Sequence, residues 1–222
     1  MYTTQFFPLL LRHLKICRKL YSTPYEFNKK YGKLVITKDP NRIRMFRLQI
    51  VLLLGSCIVM LANICFGRLT MAKKFQGFLF FSMYVMLLSG RWNYKLDVAM
   101  VQTINSAMEF EKKLVEGKPT QKTSMETKLI KLFVHITYYT VYIMVIAMIG
   151  LILLDPCSPP FLLSMREDCA SIKWTRIGFQ HFIFLFETWM NIHVYIGGTL
   201  EIVHALFVGI ACLLNYFEVL GR

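Results

Sequence analysis

The chain has 222 residues, of which 55% are hydrophobic, and a formal net charge of +13 at pH 7. In a soluble protein so much positive charge would point to nucleic acid. Here the Lys and Arg residues lie between long apolar runs, which is the pattern of basic loops on the cytoplasmic face of a membrane. Composition therefore excludes an ordinary soluble domain, predicts an all-α membrane protein and gives no reason to expect a nucleic-acid partner.

Residues 1–44 are predicted to form a cytoplasmic N-terminal segment. The start of the chain has only a short apolar run, without a basic region before it or a small-residue cleavage site after it, so no cleavable signal is expected. Aromatic and apolar residues are interleaved with lysines over residues 25–38, which is typical of a segment that lies against the membrane surface. Asp39-Pro40-Asn41 is a turn signal, and either Asp39 or Asn41 is expected to cap the first membrane helix.

A helical membrane domain with four spanning helices is predicted over residues 45–220. A spanning helix needs about 20 mostly apolar residues to cross about 30 Å of hydrocarbon. The third span is the clearest, because residues 129–154 carry a single charge, Lys131, near the start of the run. The predicted spans are residues 46–66, 73–94, 129–154 and 177–198.

The second and fourth helices are predicted to extend into the cytoplasm. After the second span, residues 91–128 are polar with apolar residues at helical spacing, which indicates a continuing helix: Leu96, Ala99, Met100, Ile104 and Met108. Residues 177–220 form either two short spans joined at Gly197-Gly198 or one helix that continues to about residue 220. One helix is preferred, because two residues do not comfortably turn a helical hairpin, and a kink at the glycine pair is compatible with it.

The distribution of basic residues predicts the orientation. With four spans, 20 of the 26 Lys and Arg residues fall in segments on one side of the membrane and six on the other. Because basic residues favour the cytoplasmic side, both termini are predicted to be cytoplasmic. We therefore predict that the chain is a multi-pass protein of the plasma membrane.

Cys157 and Cys169 lie in the loop after the third span, which this orientation places outside. The outside is oxidising, so a disulfide between them is expected, and closing such a loop contributes about 3 kcal/mol in the chain-entropy account. Two unrelated thiols are the alternative. Pro156, Pro159 and Pro160 exclude a regular helix here.

Catalytic and metal-binding patterns are weak. Glu201 and His204 have the Glu-x-x-His spacing of di-iron bundles, but the second motif and further glutamates that such sites need are missing. We therefore predict no metal, no cofactor and no enzymatic activity. Glu187 lies in the middle of the fourth span, where an ionisable group is a functional hypothesis by default. It is expected to face a cavity or to pair with His135 or another polar group.

Aromatic residues are dense on the second, third and fourth helices, where a pocket for a small organic ligand could form between helices. Core packing or contact with lipid explains the same residues. The candidate pocket residues are Phe81, Tyr84, Tyr138, Tyr142, Phe182, Phe186, Glu187 and Trp189.

Several of these features occur together in one known family. The N-terminal segment contains the stretch Pro24-Tyr25-Glu26-Phe27, the outside loop runs from Asp155-Pro156 to Phe161, and the last helix ends in the stretch from Leu213 to Leu220. This layout resembles the N-terminal half of arthropod (insect-type) gustatory and odorant receptors. The resemblance implies a tetrameric, ligand-gated cation channel with seven spanning helices and a ligand pocket in the outer half of the bundle. Its partners would be the lipid bilayer, a small organic ligand and other receptor subunits.

The sequence departs from that family because it stops after the fourth helix, and the family's pore comes from the last helices. The expectation is a fragment of a chemosensory receptor that contributes a ligand pocket and cannot conduct ions alone. The alternative is a non-receptor membrane protein with four spans and a scaffolding or assembly role.

Overall fold

The structure, a computed structural model, describes residues 6–96, 98–115, 125–166, 168–172, 174–175, 177–199 and 203. Within these residues the chain is mostly helical, with six α-helices and one β-hairpin. The elements are α1 (Phe7–Leu20), β1 (Tyr25–Asn28), β2 (Lys33–Ile36), α2 (Pro40–Phe66), α3 (Met71–Arg91), α4 (Ala99–Val115), α5 (Met125–Leu154) and α6 (Phe179–Thr199).

The chain divides into two compact units. The first unit comprises Met1–Phe46, Asn93–Thr140 and Thr199–Arg222, and the second comprises Arg47–Trp92 and Val141–Gly198. Helices α2 and α5 both begin in the first unit and end in the second. The first unit therefore holds α1, the hairpin and α4, while the second holds α3, nearly all of α6 and most of α2.

Helix α1 is amphipathic and supplies much of the core of the first unit. Its buried residues recur every three or four positions, as at Leu10, Leu14 and Cys17, so they lie on one face of the helix. Leu10 and Leu14 belong to an apolar cluster with residues of the hairpin, α4 and α5, among them Leu34, Ile104 and Val134. Helix α1 thus buries one apolar face in a protein core, and the predicted contact of residues 25–38 with the membrane surface stays a prediction.

The β-hairpin contradicts the predicted all-α fold, so that prediction is wrong for this segment. A lone two-stranded hairpin is marginally stable in water, and two side chains from elsewhere support this one. Asn105 of α4 accepts a hydrogen bond from the Leu34 N–H and donates one to the Leu34 carbonyl, each at 2.8 Å. Arg42 donates to the carbonyl oxygens of Thr23 at 2.9 Å and Tyr25 at 2.6 Å.

The predicted extension of the second helix is also wrong. Helix α3 ends at Arg91, Leu96 has a left-handed backbone with φ of 60°, and α4 is a separate helix. Ser89-Gly90 is a weak helix-forming pair, and Asn93 donates a hydrogen bond to the Tyr25 hydroxyl at 2.8 Å. This long-range contact holds the connecting segment out of the helical conformation that its local spacing favours.

Two helices in the described part of the chain are long and apolar enough to cross a membrane, at Pro40–Phe66 and Lys128–Leu154. Helix α2 begins earlier than predicted, because Pro40 is compatible with the first turn and Asp39 caps it. The Asn41 N–H donates to Asp39 Oδ1 at 3.0 Å. The predicted continuation of the fourth helix to about residue 220, with Glu201 and His204, lies outside the described residues, although α6 runs unbroken through both glycines of the pair.

Candidate ligand-binding site

A disulfide closes the loop that follows α5. It joins Cys157 and Cys169, the pair predicted from the sequence, with their Cα atoms 5.3 Å apart. Two short 3-10 turns, Leu162–Met165 and Cys169–Ser171, shape the loop. Between them the Arg166 guanidinium hydrogen-bonds the Asp168 carboxylate at 2.8 and 2.6 Å, which holds the pKa of Asp168 below its ordinary value.

Side chains at the start of α3 fasten this loop. Lys73 Nζ lies 3.3 Å from Asp155 Oδ2 and donates to the Cys157 carbonyl at 3.1 Å. Gln76 Nε2 donates to Ser158 Oγ at 3.1 Å. These contacts hold the first half of the loop, which is rich in proline and has little conformational freedom, against the start of α3.

Helices α2 and α6 hold the second half of the loop. Asn63 Nδ2 of α2 donates to Ser164 Oγ at 2.8 Å. Glu187 of α6 accepts a hydrogen bond at Oε1 from the Leu162 N–H. Three helices of the second unit are therefore joined to the loop by polar side chains, so the loop forms a fixed cover over their ends.

A cavity of about 30 Å³ lies beneath the loop. This volume holds about one or two water molecules. Its wall combines aromatic and methionine side chains from all the surrounding elements with a smaller set of polar groups. The polar lining residues are Ser56, Asn63, Tyr84, Glu187 and Asn191.

Glu187 is the most unusual group in the cavity wall. Its residue surface is only 8% exposed, and while Oε1 binds the loop, Oε2 is buried without a hydrogen-bond partner among the described residues. The neighbouring Tyr84 hydroxyl donates to Asn191 Oδ1. No Lys, Arg or His occurs among the described residues that line the cavity. A buried carboxyl without a counter-charge or a second partner is costly, so its position here calls for an explanation.

Three of the predicted pocket residues, Tyr84, Phe186 and Glu187, line this cavity. Trp189 lies close by on α6, with its ring centroid 6.3 Å from that of Phe186 and 4.7 Å from that of His193. It is not among the described lining residues. The structure therefore brings together part of the predicted pocket, around the one ionisable residue that was singled out.

The remaining four predicted residues do not line the cavity in the described part of the chain. The Phe81 ring lies 6.5 Å from that of Phe78, and Phe182 is 66% exposed. Tyr138 belongs to the first unit, where its ring meets that of His13 edge-on at 5.5 Å, and Tyr142 is half-buried on α5. These four rings therefore pack against neighbouring side chains or lie at the surface of the protein.

Sequence reasoning missed the neutral polar lining residues. Asn191 follows Glu187 by four positions, so the two share one face of α6, and Asn63 stands in the apolar run of α2. Polar side chains within a spanning helix are rare and usually face the bundle interior. That signal was present in the sequence and could have found both asparagines.

A second polar cluster holds the other end of α3. The Arg91 side chain is fully buried, and its guanidinium donates to the His193 carbonyl and to Gln49 Oε1, each at 3.1 Å. A Cβ atom at Gly197 would lie 2.9 Å from Arg91 Cζ, and one at Gly198 would lie 2.8 Å from a Leu87 methyl group. The glycine pair therefore permits a close approach of α3 to α6, and α6 continues through it as a helix.

The described residues contain no group of three or more His, Cys, Asp or Glu side chains placed to hold a metal ion. Comparison of the chain with protein-family models, with curated proteins and with solved structures finds no match.

Proposed function

We propose that this chain is a multi-pass protein of the plasma membrane that binds a small organic ligand beneath the disulfide-closed loop, as part of a gustatory- or odorant-type chemosensory receptor. The observation that carries the proposal is the cavity, where a few polar groups are set in an aromatic and methionine wall. Ligand sites between helices have this composition, with the apolar wall giving affinity and the polar groups giving orientation.

Exposed apolar side chains support four spans. Each helix of the second unit presents large apolar residues outward, such as Ile58 on α2, Phe78 on α3, Ile143 on α5 and Phe182 on α6. Soluble proteins rarely expose contiguous apolar surface on this scale, whereas lipid accepts it without cost. We infer that α3 and α6 cross the membrane beside the two helices that meet the length and hydropathy criteria.

The proposed orientation gives the cavity access to an external stimulus. The count of basic residues favours a cytoplasmic N-terminus, and four spans then put the loop with Cys157 and Cys169 outside, where disulfides persist. A ligand arriving from outside would meet the loop first. The likeness to chemosensory receptors adds the expectation of partner subunits and of ligand-gated cation conduction by the assembly.

The test is a ligand screen on the purified full chain in lipid nanodiscs. Thermal unfolding is recorded with a panel of small alcohols, esters, amines and sugars, and we expect a subset to raise the melting temperature of the wild type. Phe186→Ala, which opens the cavity wall, should abolish or change that response. Phe182→Ala is the matched control, because it removes the same side chain from the exposed face of the same helix. Equal responses from the two variants would contradict the cavity assignment.

The size of the cavity favours one alternative, a membrane protein with four spans and a scaffolding or assembly role. A volume of about 30 Å³ holds water and no complete organic molecule. Under this alternative no compound in the panel shifts the unfolding of the wild type, and the polar groups under the loop serve only to join the helices.

A further inference from the structure

We propose that the cavity recognises the protonated amino group of a small organic amine, with the Glu187 carboxylate as its counter-charge. This inference rests on the proposed function, because it names the ligand class for the same site. It follows from the charge, the hydrogen-bonding capacity and the size of the cavity.

The charge of the cavity is unbalanced. Among the described lining residues Glu187 is the only acidic one, and none of them is cationic. Removing an ionised carboxylate from water costs several kcal/mol unless a positive group pairs with it. Because Oε2 is buried and lacks a partner among the described residues, a ligand that brings both a positive charge and an N–H donor matches what is missing.

The neutral groups around Glu187 suit an ammonium group. An ammonium has three donors and no acceptor, so it needs further oxygen atoms. Ser56 Oγ already donates to the Leu52 carbonyl at 2.9 Å, and Asn191 Oδ1 already accepts from the Tyr84 hydroxyl, so each oxygen keeps a lone pair for another donor. The rings of Tyr84, Phe161 and Phe186 in the wall add cation–π attraction, which favours ammonium over a neutral hydroxyl.

The size of the cavity limits the ligand. The space of about 30 Å³ matches an ammonium group, which is similar in size to a water molecule, and leaves no room for a ring. The rest of the ligand would have to displace the lining side chains of Met60, Met165 and Met190. Methionine is unbranched and adapts readily to new shapes, so a short alkyl chain is the tail that the site can accept most easily.

The experiment measures binding of n-butylammonium and of n-butanol, its neutral counterpart of similar shape, to the full chain in nanodiscs at pH 7.4 by isothermal titration calorimetry. We expect the amine to bind the wild type at least tenfold more tightly than the alcohol. Glu187→Gln should weaken amine binding at least tenfold and leave alcohol binding unchanged. The variant keeps an oxygen acceptor for the Leu162 N–H, so the loop contact survives.

Asp168→Asn is the control for charge, because it removes an exposed carboxylate of the same loop and should leave amine binding unchanged. Equal amine affinity in Glu187→Gln and the wild type would overturn the inference. So would displacement of the amine by potassium ions at equal concentration, which would indicate an inorganic cation site. If Glu187→Gln does not fold, the amine-to-alcohol ratio of the wild type decides alone, and a ratio near one overturns the inference.

The two proposals fail in different ways. If the alcohol binds the wild type as tightly as the amine, the proposed ligand site stands and the preference for amines is wrong. If neither compound, nor any in the wider panel, binds the wild type, the proposed function fails together with this inference.

Discussion

Apart from helices α2 and α5, which belong to both, the two units of the molecule differ in the side chains that they bury and expose. The first unit buries apolar residues such as Leu10 and Leu34 and exposes Lys29 and Lys30 on its hairpin. The second unit buries Arg91, Glu187 and Asn191 while it exposes large apolar residues on every helix. The contrast is explained if α1, the hairpin and α4 are built for water and the second unit for lipid.

The contrast also teaches what holds each unit together. Between helices surrounded by lipid the hydrophobic effect gives no net attraction, so hydrogen bonds and close approach at small residues replace it. The second unit has both, in the Arg91 cluster with Gly197 and in the polar anchors of the loop. The first unit is held together by its apolar cluster. Asn105 and Arg42 add hydrogen bonds to backbone groups in and beside the hairpin.

Loss of the Arg91 guanidinium is expected to have the largest effect on the stability of the protein. Arg91→Ala removes the donor that serves Gln49 Oε1 and the His193 carbonyl, and each buried hydrogen bond lost in this way costs about 1–3 kcal/mol. We expect a loss of about 4 kcal/mol in the free energy of unfolding, measured by denaturant titration in detergent micelles. Lys95→Ala, which removes an exposed basic residue, should change it by less than about 0.5 kcal/mol. Similar losses from both substitutions would show that the hydrogen bonds of Arg91 do not stabilise the second unit.

The next effect concerns the cover of the cavity. Replacing both Cys157 and Cys169 by Ala frees a loop in which the cysteines are separated by 12 positions, and the chain-entropy account predicts a loss of about 3 kcal/mol. Treatment of the wild type with a reductant should lower its melting temperature to that of the double variant. A wild type that melts at the same temperature with and without the disulfide would mean that the polar anchors hold the loop unaided.

The smallest of these effects is local to the first unit. Asn105→Ala removes both hydrogen bonds to Leu34, and at about 1 kcal/mol each we expect a loss of about 2 kcal/mol. Hydrogen exchange should rise in the hairpin while the ligand response of the second unit stays unchanged. Thr103→Ala on the exposed side of α4 is the control and should leave the exchange rates of the hairpin as they are. Increased exchange in the second unit as well would contradict the division into separately stabilised units.

Sequence reasoning located the long helices well, because runs of apolar residues are a local signal of period and length. It failed where contacts between distant residues decide the backbone. The break after Arg91 depends on the hydrogen bond from Asn93 to Tyr25, and Ser89-Gly90 is only a weak local signal for it. The hairpin had a local signal, since Tyr25 and Phe27 alternate with polar residues before a turn at Gly32, whose φ is +62°, but the basic composition of the segment favoured a membrane-surface interpretation.

The candidate site was predictable in part for the same reason. Glu187 stands out in any apolar run, and the cysteine pair follows from the orientation and the redox compartment. Which aromatic rings face inward depends on helix rotation and on the loop, so Tyr84 and Phe186 could not be distinguished from Phe81 and Phe182 by composition. The position of the loop over the cavity depends on its hydrogen bonds to side chains of three helices. These contacts between distant residues can be seen only in the tertiary structure.

The central claim is that the exposed apolar residues of the second unit face lipid while those of the hairpin in the first unit face water. Single cysteines at Tyr31, Ile58 and Ile143 test it directly, because the native side chains are 67%, 61% and 62% exposed. Intact cells expressing each variant, with every native cysteine except Cys157 and Cys169 replaced by Ala, are treated with a membrane-impermeant maleimide before and after permeabilisation. We expect the cysteine at position 31 to react only after permeabilisation, and those at positions 58 and 143 to stay unlabelled in both conditions. Rapid labelling at position 58 or 143 would contradict the account.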